Sequence, residues 1–129
     1  MKTLSKLLLV VGIFGLTLGC SYRDEVVTEG SFYELTIGSS RQEAYRALPQ
    51  TFESLNIASD AVSYESTACA NAGSAFISLK LDAIEFDCLS RSDVWTFYLD
   101  RSRMDLLRLS FCGDKLCRIY RHKKFFETF

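Results

Sequence analysis

The stretch Asp105-Leu106-Leu107-Arg108-Leu109-Ser110-Phe111-Cys112-Gly113-Asp114-Lys115-Leu116-Cys117-Arg118-Ile119-Tyr120-Arg121 decides the fold. Its arms, Asp105 to Phe111 and Leu116 to Arg121, are rich in β-formers and flank a Gly113-Asp114 turn, the pattern of an antiparallel hairpin. Met104, Leu107 and Arg108 also tolerate a helical turn, but the Gly-Asp pair favours strand. Upstream, Val94-Trp95-Thr96-Phe97-Tyr98-Leu99 is dense in β-branched and aromatic residues. Ala75 to Leu81 alternates through Ile77, Leu79 and Leu81, and Ile84-Glu85-Phe86-Asp87-Cys88 alternates too. Ala61 to Glu65 is a weaker strand, and residues 70–74 read as a loop.

Before these strands the period changes. Ser40-Arg41-Gln42-Glu43 is a capping box, in which the Ser40 hydroxyl accepts the N3 amide. Ala44, Tyr45, Leu48, Phe52 and Leu55 then recur at helical spacing. Pro49 lacks an N–H and its ring crowds the preceding turn. The expectation is therefore a helix over 40–48 and a second, short one from Pro49 to about Asn56, with Pro49 at its first position. Tyr45, Leu48, Phe52 and Leu55 form the apolar face. The expected fold class is α+β, a two-layer sandwich of two short N-terminal helices packed on an antiparallel β-meander of three to five strands. Trp95, Phe97, Leu107, Leu109 and Ile119 should face the helices.

The N-terminus has a different character. Lys2 and Lys6 precede an apolar run from Leu7 to Leu18, closed by Gly19-Cys20. This is the layout of a secretory signal, and the run is too short to span a bilayer core, which needs about 20 helical residues. Leu16-Thr17-Leu18-Gly19-Cys20 resembles a bacterial lipobox. The resemblance implies that Cys20 is acylated and becomes the mature N-terminus. Two or more acyl chains suffice for stable anchoring. An ordinary cleaved signal with a chance cysteine is the plainer alternative. Ser21, where Asp would resemble an inner-membrane retention signal, implies the periplasmic face of the outer membrane in a Gram-negative host. The expected organisation is a signal at 1–19, a tether at 20–34 and one domain at 35–129.

From Cys20 onward the chain has 13 basic against 16 acidic side chains, a net charge of −3, so charge gives no reason to expect nucleic-acid binding. Arg118, Arg121, Lys123 and Lys124 cluster late in the chain. They could meet an acidic partner or anionic headgroups, but the simpler reading is an edge strand protected by basic side chains. Beyond Cys20 four cysteines remain, Cys69, Cys88, Cys112 and Cys117. An even number in an exported chain reads as two disulfides. Sequence alone leaves three pairings open. If Cys112 and Cys117 face each other across the Gly113-Asp114 turn, Cys69 and Cys88 are left for each other. No C-x₂-C knuckle supports zinc, and no metal ligands are assigned.

Further residues resemble the BamE/SmpA-like lipoproteins. Ile37-Gly38-Ser39-Ser40-Arg41-Gln42-Glu43-Ala44 looks like that family's Gly-Met-Thr-Arg-x-Glu-Val helix opening, with Ser39-Ser40 where Met-Thr is usual. Trp95-Thr96-Phe97-Tyr98 is similar to its Trp-x-Tyr strand, and Leu109 to Ile119 to its closing hairpin. The resemblance implies a small outer-membrane lipoprotein with a BamE-like domain and a role in barrel assembly. Fold alone does not carry function.

Nothing reads as an enzyme. The only histidine, His122, lies among Arg121, Lys123 and Lys124, where neighbouring cations disfavour its charged form. No G-x-S-x-G or phosphate loop is present. Asp82, Glu85 and Asp87 are close in sequence, but on a strand Glu85 and Asp87 would share a solvent face. No catalytic residues, cofactor or small-molecule substrate are expected, and no binding residue stands out. The leading expectation is a non-enzymatic lipid-anchored scaffold or modulator of an outer-membrane complex, with the membrane and an envelope protein as partners. Its rival is an inhibitor or immunity lipoprotein that binds a periplasmic enzyme or toxin. A small-ligand carrier is a weaker third.

Overall fold

The computed structural model describes residues 22–66, 69, 76–99 and 104–124. Strands β1 (Tyr22–Val27), β2 (Ser31–Phe32) and β3 (Leu35–Thr36) precede helix α1 (Arg41–Ser54). A 3-10 turn (Ser59–Ala61), β4 (Ser63–Glu65) and β5 (Phe76–Ser78) lead to helix α2 (Ala83–Leu89). The chain then forms β6 (Val94–Tyr98), β7 (Asp105–Cys112) and β8 (Lys115–Lys124). Six strands make one antiparallel sheet of order β1-β8-β7-β6-β4-β5, while β2 and β3 form a separate hairpin. This strand-rich α+β fold replaces the expected pair of N-terminal helices on a three- to five-stranded meander.

The first correction concerns Pro49, which lies inside a single 14-residue helix rather than between two. Tyr45 and Leu48 before it and Thr51 and Phe52 after it share one buried face, with Leu48 and Phe52 fully buried. Burying a Leu or Phe side chain is worth about 1.5–3 kcal/mol, enough to offset the roughly 3 kcal/mol that an interior proline costs. The helix starts where the capping box places it: Ser40 Oγ accepts from Glu43 N at 3.1 Å. It stops after Ser54, with Leu55 as C-cap and Asn56 beyond it in the left-handed region at φ 60°. Asn56 N donates to Glu53 O at 3.0 Å and Ile57 N to Phe52 O at 2.9 Å, the paired bonds of a Schellman stop.

The second correction is α2, which occupies Ile84 to Cys88 where alternation suggested a strand. Asp82 is its N-cap and accepts from Glu85 N at 2.7 Å. Glu85 and Leu89, four residues apart, are buried, while Ile84 is 83% exposed. That spacing is helical, and Asp82-x-x-Glu85 was a capping signal in plain view.

The third correction is at the N-terminal edge. Most of the expected tether is structured, because β1 pairs with β8 along its length, from Tyr22↔Lys124 to Val27↔Ile119. The basic end of the chain is therefore an interior strand, and the edge it was expected to guard is β1. Asp24 stands opposite His122 and Glu25 opposite Arg121, and opposite charges across a ladder favour that register. The partners lie almost a hundred residues apart, so nothing local announces them.

The β7–β8 hairpin forms as expected. Gly113 takes the positive φ, 62°, that a two-residue II′ turn requires at its first central position. The helices cover one sheet face. Leu48 and Phe52 of α1 join Trp95, Phe97, Leu107, Leu109 and Ile119 in one buried cluster. Phe52 meets Phe97 and Tyr45 meets Trp95 edge to face, with ring centroids 6.0 and 6.3 Å apart. A buried ion pair lies within this layer: Arg121 Nη1 donates to Asp105 Oδ1.

Candidate functional site

The four cysteines after Cys20 form two bridges, as their even number suggested, and the pairing that the sequence left open is set by the fold. Cys69–Cys88 and Cys112–Cys117 are disulfides with Cα atoms 5.5 and 5.7 Å apart, within the usual span. The first ties the β4–β5 connection to α2. The second lies at a β-bulge. Phe111 pairs with Leu116 but Ser110 with Arg118, so Cys117 is the extra residue. Cys112 itself stands opposite Lys115, two positions before Cys117. Cys20, the expected lipidation site, lies outside the described residues. All the cysteines that follow it are already paired with one another.

Two polar junctions hold the covered face together. Glu85 is buried beneath α1 and α2, where its carboxylate accepts from the Tyr45 hydroxyl at 2.6 Å and from Lys80 N and Leu81 N at 2.9 Å. Burial pushes the Tyr45 and Tyr64 hydroxyls above the ordinary tyrosine range, and the Glu85 charge adds to it. The carboxylate thus ties α2 to Tyr45 of α1 and to the backbone that leads into α2. Asp82 and Asp87, near it in sequence, do other work: Asp82 caps α2 and Asp87 bonds Arg91.

The second junction is Arg41, at the start of α1. Nη1 donates to Ser90 O at 3.2 Å and Ser92 O at 2.6 Å. Nη2 donates to Asp93 Oδ1 at 2.7 Å and to Gly113 O at 2.9 Å. The guanidinium also lies 4.9 Å from the Phe111 ring centroid. One side chain thus joins α1, the α2–β6 connection and the hairpin turn. Sequence reading placed Arg41 inside the capping box and missed this role, because its partners are about 50 and 70 residues away.

The opposite sheet face carries Val94, Thr96, Leu106, Arg108, Ser110, Arg118, Tyr120 and His122, all exposed or half-buried. Arg108 and Arg118 each sit 5.9 Å from the Tyr120 ring centroid. Arg108 Nε also donates to Thr96 Oγ1 at 3.1 Å. His122 stacks on Tyr120 with centroids 6.4 Å apart. Tyr120 Oη donates to Asp24 Oδ1 at 3.1 Å, and His122 Nδ1 lies 2.5 Å from the same oxygen. The His122 hydrogen bond, then that from Tyr120, holds the Asp24 carboxyl below its usual range. His122 therefore faces a carboxylate on β1, not only the cations beside it in sequence.

No known family matches the chain, nor does any curated protein or solved structure. Among the described residues, no group of three or more His, Cys, Asp or Glu could hold a metal ion, and no helix is long and apolar enough to cross a membrane.

Proposed function

We propose that the chain is a non-enzymatic, lipid-anchored envelope protein that scaffolds or modulates an outer-membrane complex from the periplasmic face. The observation that carries this reading is the cysteine pairing. Two disulfides belong in an oxidising compartment, in keeping with an export signal at 1–19. They also use every cysteine except Cys20, the one that closes the lipobox-like stretch. The braced domain presents an uncovered sheet face of cations and a phenol, a surface for a partner rather than a chemical centre. The resemblance of residues 37–44, 95–98 and 109–119 to BamE/SmpA-like lipoproteins supplies the candidate partner, the machinery that assembles outer-membrane barrels. Attachment to the membrane raises effective concentration, so a modest interface suffices.

The test is affinity purification of the full chain from detergent-solubilised envelopes, with intact-mass analysis of the bait and identification of what it retains. Loss of residues 1–19, acyl mass on Cys20 and stoichiometric outer-membrane assembly proteins are the expected outcome. An unmodified Cys20 would remove the anchor from the reading. Recovery of a single soluble periplasmic enzyme or toxin would replace the scaffold with an inhibitor.

A further inference from the structure

The uncovered face of the sheet carries two cations that the fold leaves without an anion. Arg108 on β7 stands opposite Tyr120 on β8, and Arg118 stands opposite Ser110, one step along the same face. Both guanidiniums lie 5.9 Å from the Tyr120 ring centroid. Arg108 Nε donates to Thr96 Oγ1, while among the described residues its two Nη groups and the whole Arg118 fork make no hydrogen bond. Arg41, Arg91 and Arg121 each bond a carboxylate, on Asp93, Asp87 and Asp105. Arg108 and Arg118 have no such partner among the described residues, although the chain after Cys20 has more acidic than basic side chains. The carboxylates on their face are engaged by other groups: Asp24 accepts from Tyr120 and faces His122, and Glu65 accepts from Tyr98 Oη at 3.0 Å. Two like charges side by side repel, and an anion from outside relieves that repulsion. Exposed aliphatic side chains border the pair. Val26, 52% exposed, stands opposite Tyr120 on β1, and Val94, 45% exposed, opposite Ser110 on β6. Arginine and tyrosine are also the residue types that protein interfaces concentrate.

We propose that this face docks an extended acidic segment of a protein partner, Arg108 and Arg118 each taking one carboxylate with the Tyr120 ring between them, given the reading above that the chain acts by binding a protein. Spacing selects the partner's chemistry. Arg108 and Arg118 are diagonal neighbours across an antiparallel pair, a separation of about 7–8 Å. Alternate residues of an extended chain lie about 6.6–6.8 Å apart and project to the same side. Carboxylates two residues apart on such a segment therefore match the two guanidiniums, and each fork can take both oxygens of its carboxylate. The residue between them points away, and its neighbours meet Val26 and Val94.

The experiment is NMR titration of the full chain in non-ionic detergent, following the Nε–Hε signals of Arg108 and Arg118. The probe is an N-acetylated decapeptide that alternates Glu with Thr. The same peptide with Gln in place of Glu, and soluble dihexanoyl phosphatidylglycerol, are titrated beside it. The Glu peptide should shift both signals saturably, the Gln peptide should not, and added salt should weaken binding. Arg118→Gln removes no hydrogen bond of the fold, so its urea midpoint should match the parent's, and it should bind the Glu peptide about tenfold more weakly. Adding Arg108→Gln should weaken binding about tenfold again. No shift with the Glu peptide, undiminished binding by Arg118→Gln, or shifts with phosphatidylglycerol alone would overturn the docking surface. Affinity purification from envelopes, run with the parent and the double variant, separates this failure from that of the scaffold reading. Envelope partners recovered equally by both chains would overturn the surface and leave the scaffold. Peptide binding by a parent chain that recovers no envelope protein would uphold the surface and remove the scaffold.

Discussion

Replacing Arg41 tests whether the fold is held at one point that the sequence does not advertise. Its guanidinium makes two half-buried bonds to Ser90 O and Ser92 O, and two exposed ones to Asp93 and Gly113 O. Hydrogen bonds from a charged donor contribute about 1.5 kcal/mol or more each when shielded from water. The two half-buried bonds are thus worth about 3 kcal/mol. Asp93 is 78% exposed, so that ion pair adds at most about 1 kcal/mol. Arg41→Ala should therefore cost about 3–4 kcal/mol. Arg41→Lys should cost about 2 kcal/mol, because an ammonium cannot present a planar fork to acceptors on two separate segments. Asp93→Asn alone should cost under about 1 kcal/mol. The assay is urea unfolding with both disulfides intact. With a slope of about 2 kcal/mol/M, Arg41→Ala should lower the midpoint by about 1.5–2 M without changing the slope. A Lys variant as stable as the parent, or an Asp93→Asn loss equal to that of Arg41→Ala, would refute the reasoning. The first would show that charge alone suffices, the second that one exposed ion pair holds the junction.

The remaining predictions concern the staples, the cap and the buried phenols. Opening Cys69–Cys88, which closes a separation of 19 residues, should cost about 3 kcal/mol by the chain-entropy treatment. Opening Cys112–Cys117, separated by 5, should cost about 2 kcal/mol. Unfolding of paired serine variants, with thiol counts, measures both, and the reverse order would contradict the loop-length argument. Ser40→Ala removes the acceptor for Glu43 N and should lower stability by about 1 kcal/mol in denaturant titration; no loss would mean that the cap does not hold the helix start. The Tyr45 and Tyr64 hydroxyls titrate above the ordinary range in the fold, chiefly through burial. The native state therefore keeps protons that the unfolded chain releases above about pH 10. Stability should be full below that pH and fall as pH rises through it, and Tyr45→Phe should flatten the fall in a midpoint-against-pH series. An unchanged slope would remove Tyr45 from the linkage.

Some features were written locally and could be read. The Ser40 cap, the helical spacing of Tyr45, Leu48 and Phe52, the Gly113-Asp114 hairpin and the alternation of Trp95 and Phe97 all depend on neighbours within a few residues. So did the cysteine count, which restricted the pairings before any geometry was known. The Asp82-x-x-Glu85 cap was equally local, but the strand-like alternation of Ile84, Phe86 and Cys88 masked it. A seven-residue helix offers too few turns for its period to outvote that pattern.

Sequence alone determined where helix α1 begins, where the final hairpin turns, which residues of β6 to β8 face the core, and that the four cysteines after Cys20 suit two bridges. Tertiary structure alone decided that Pro49 stays within one helix, since only burial on both sides of it offsets the lost hydrogen bond. It alone placed β1 beside β8, buried Arg121 with Asp105, and aimed Arg41 at partners far along the chain. The physical reason is the range of the forces: caps, turns and periodicity act within a few residues, whereas burial and pairing depend on which distant segments the compact chain brings together.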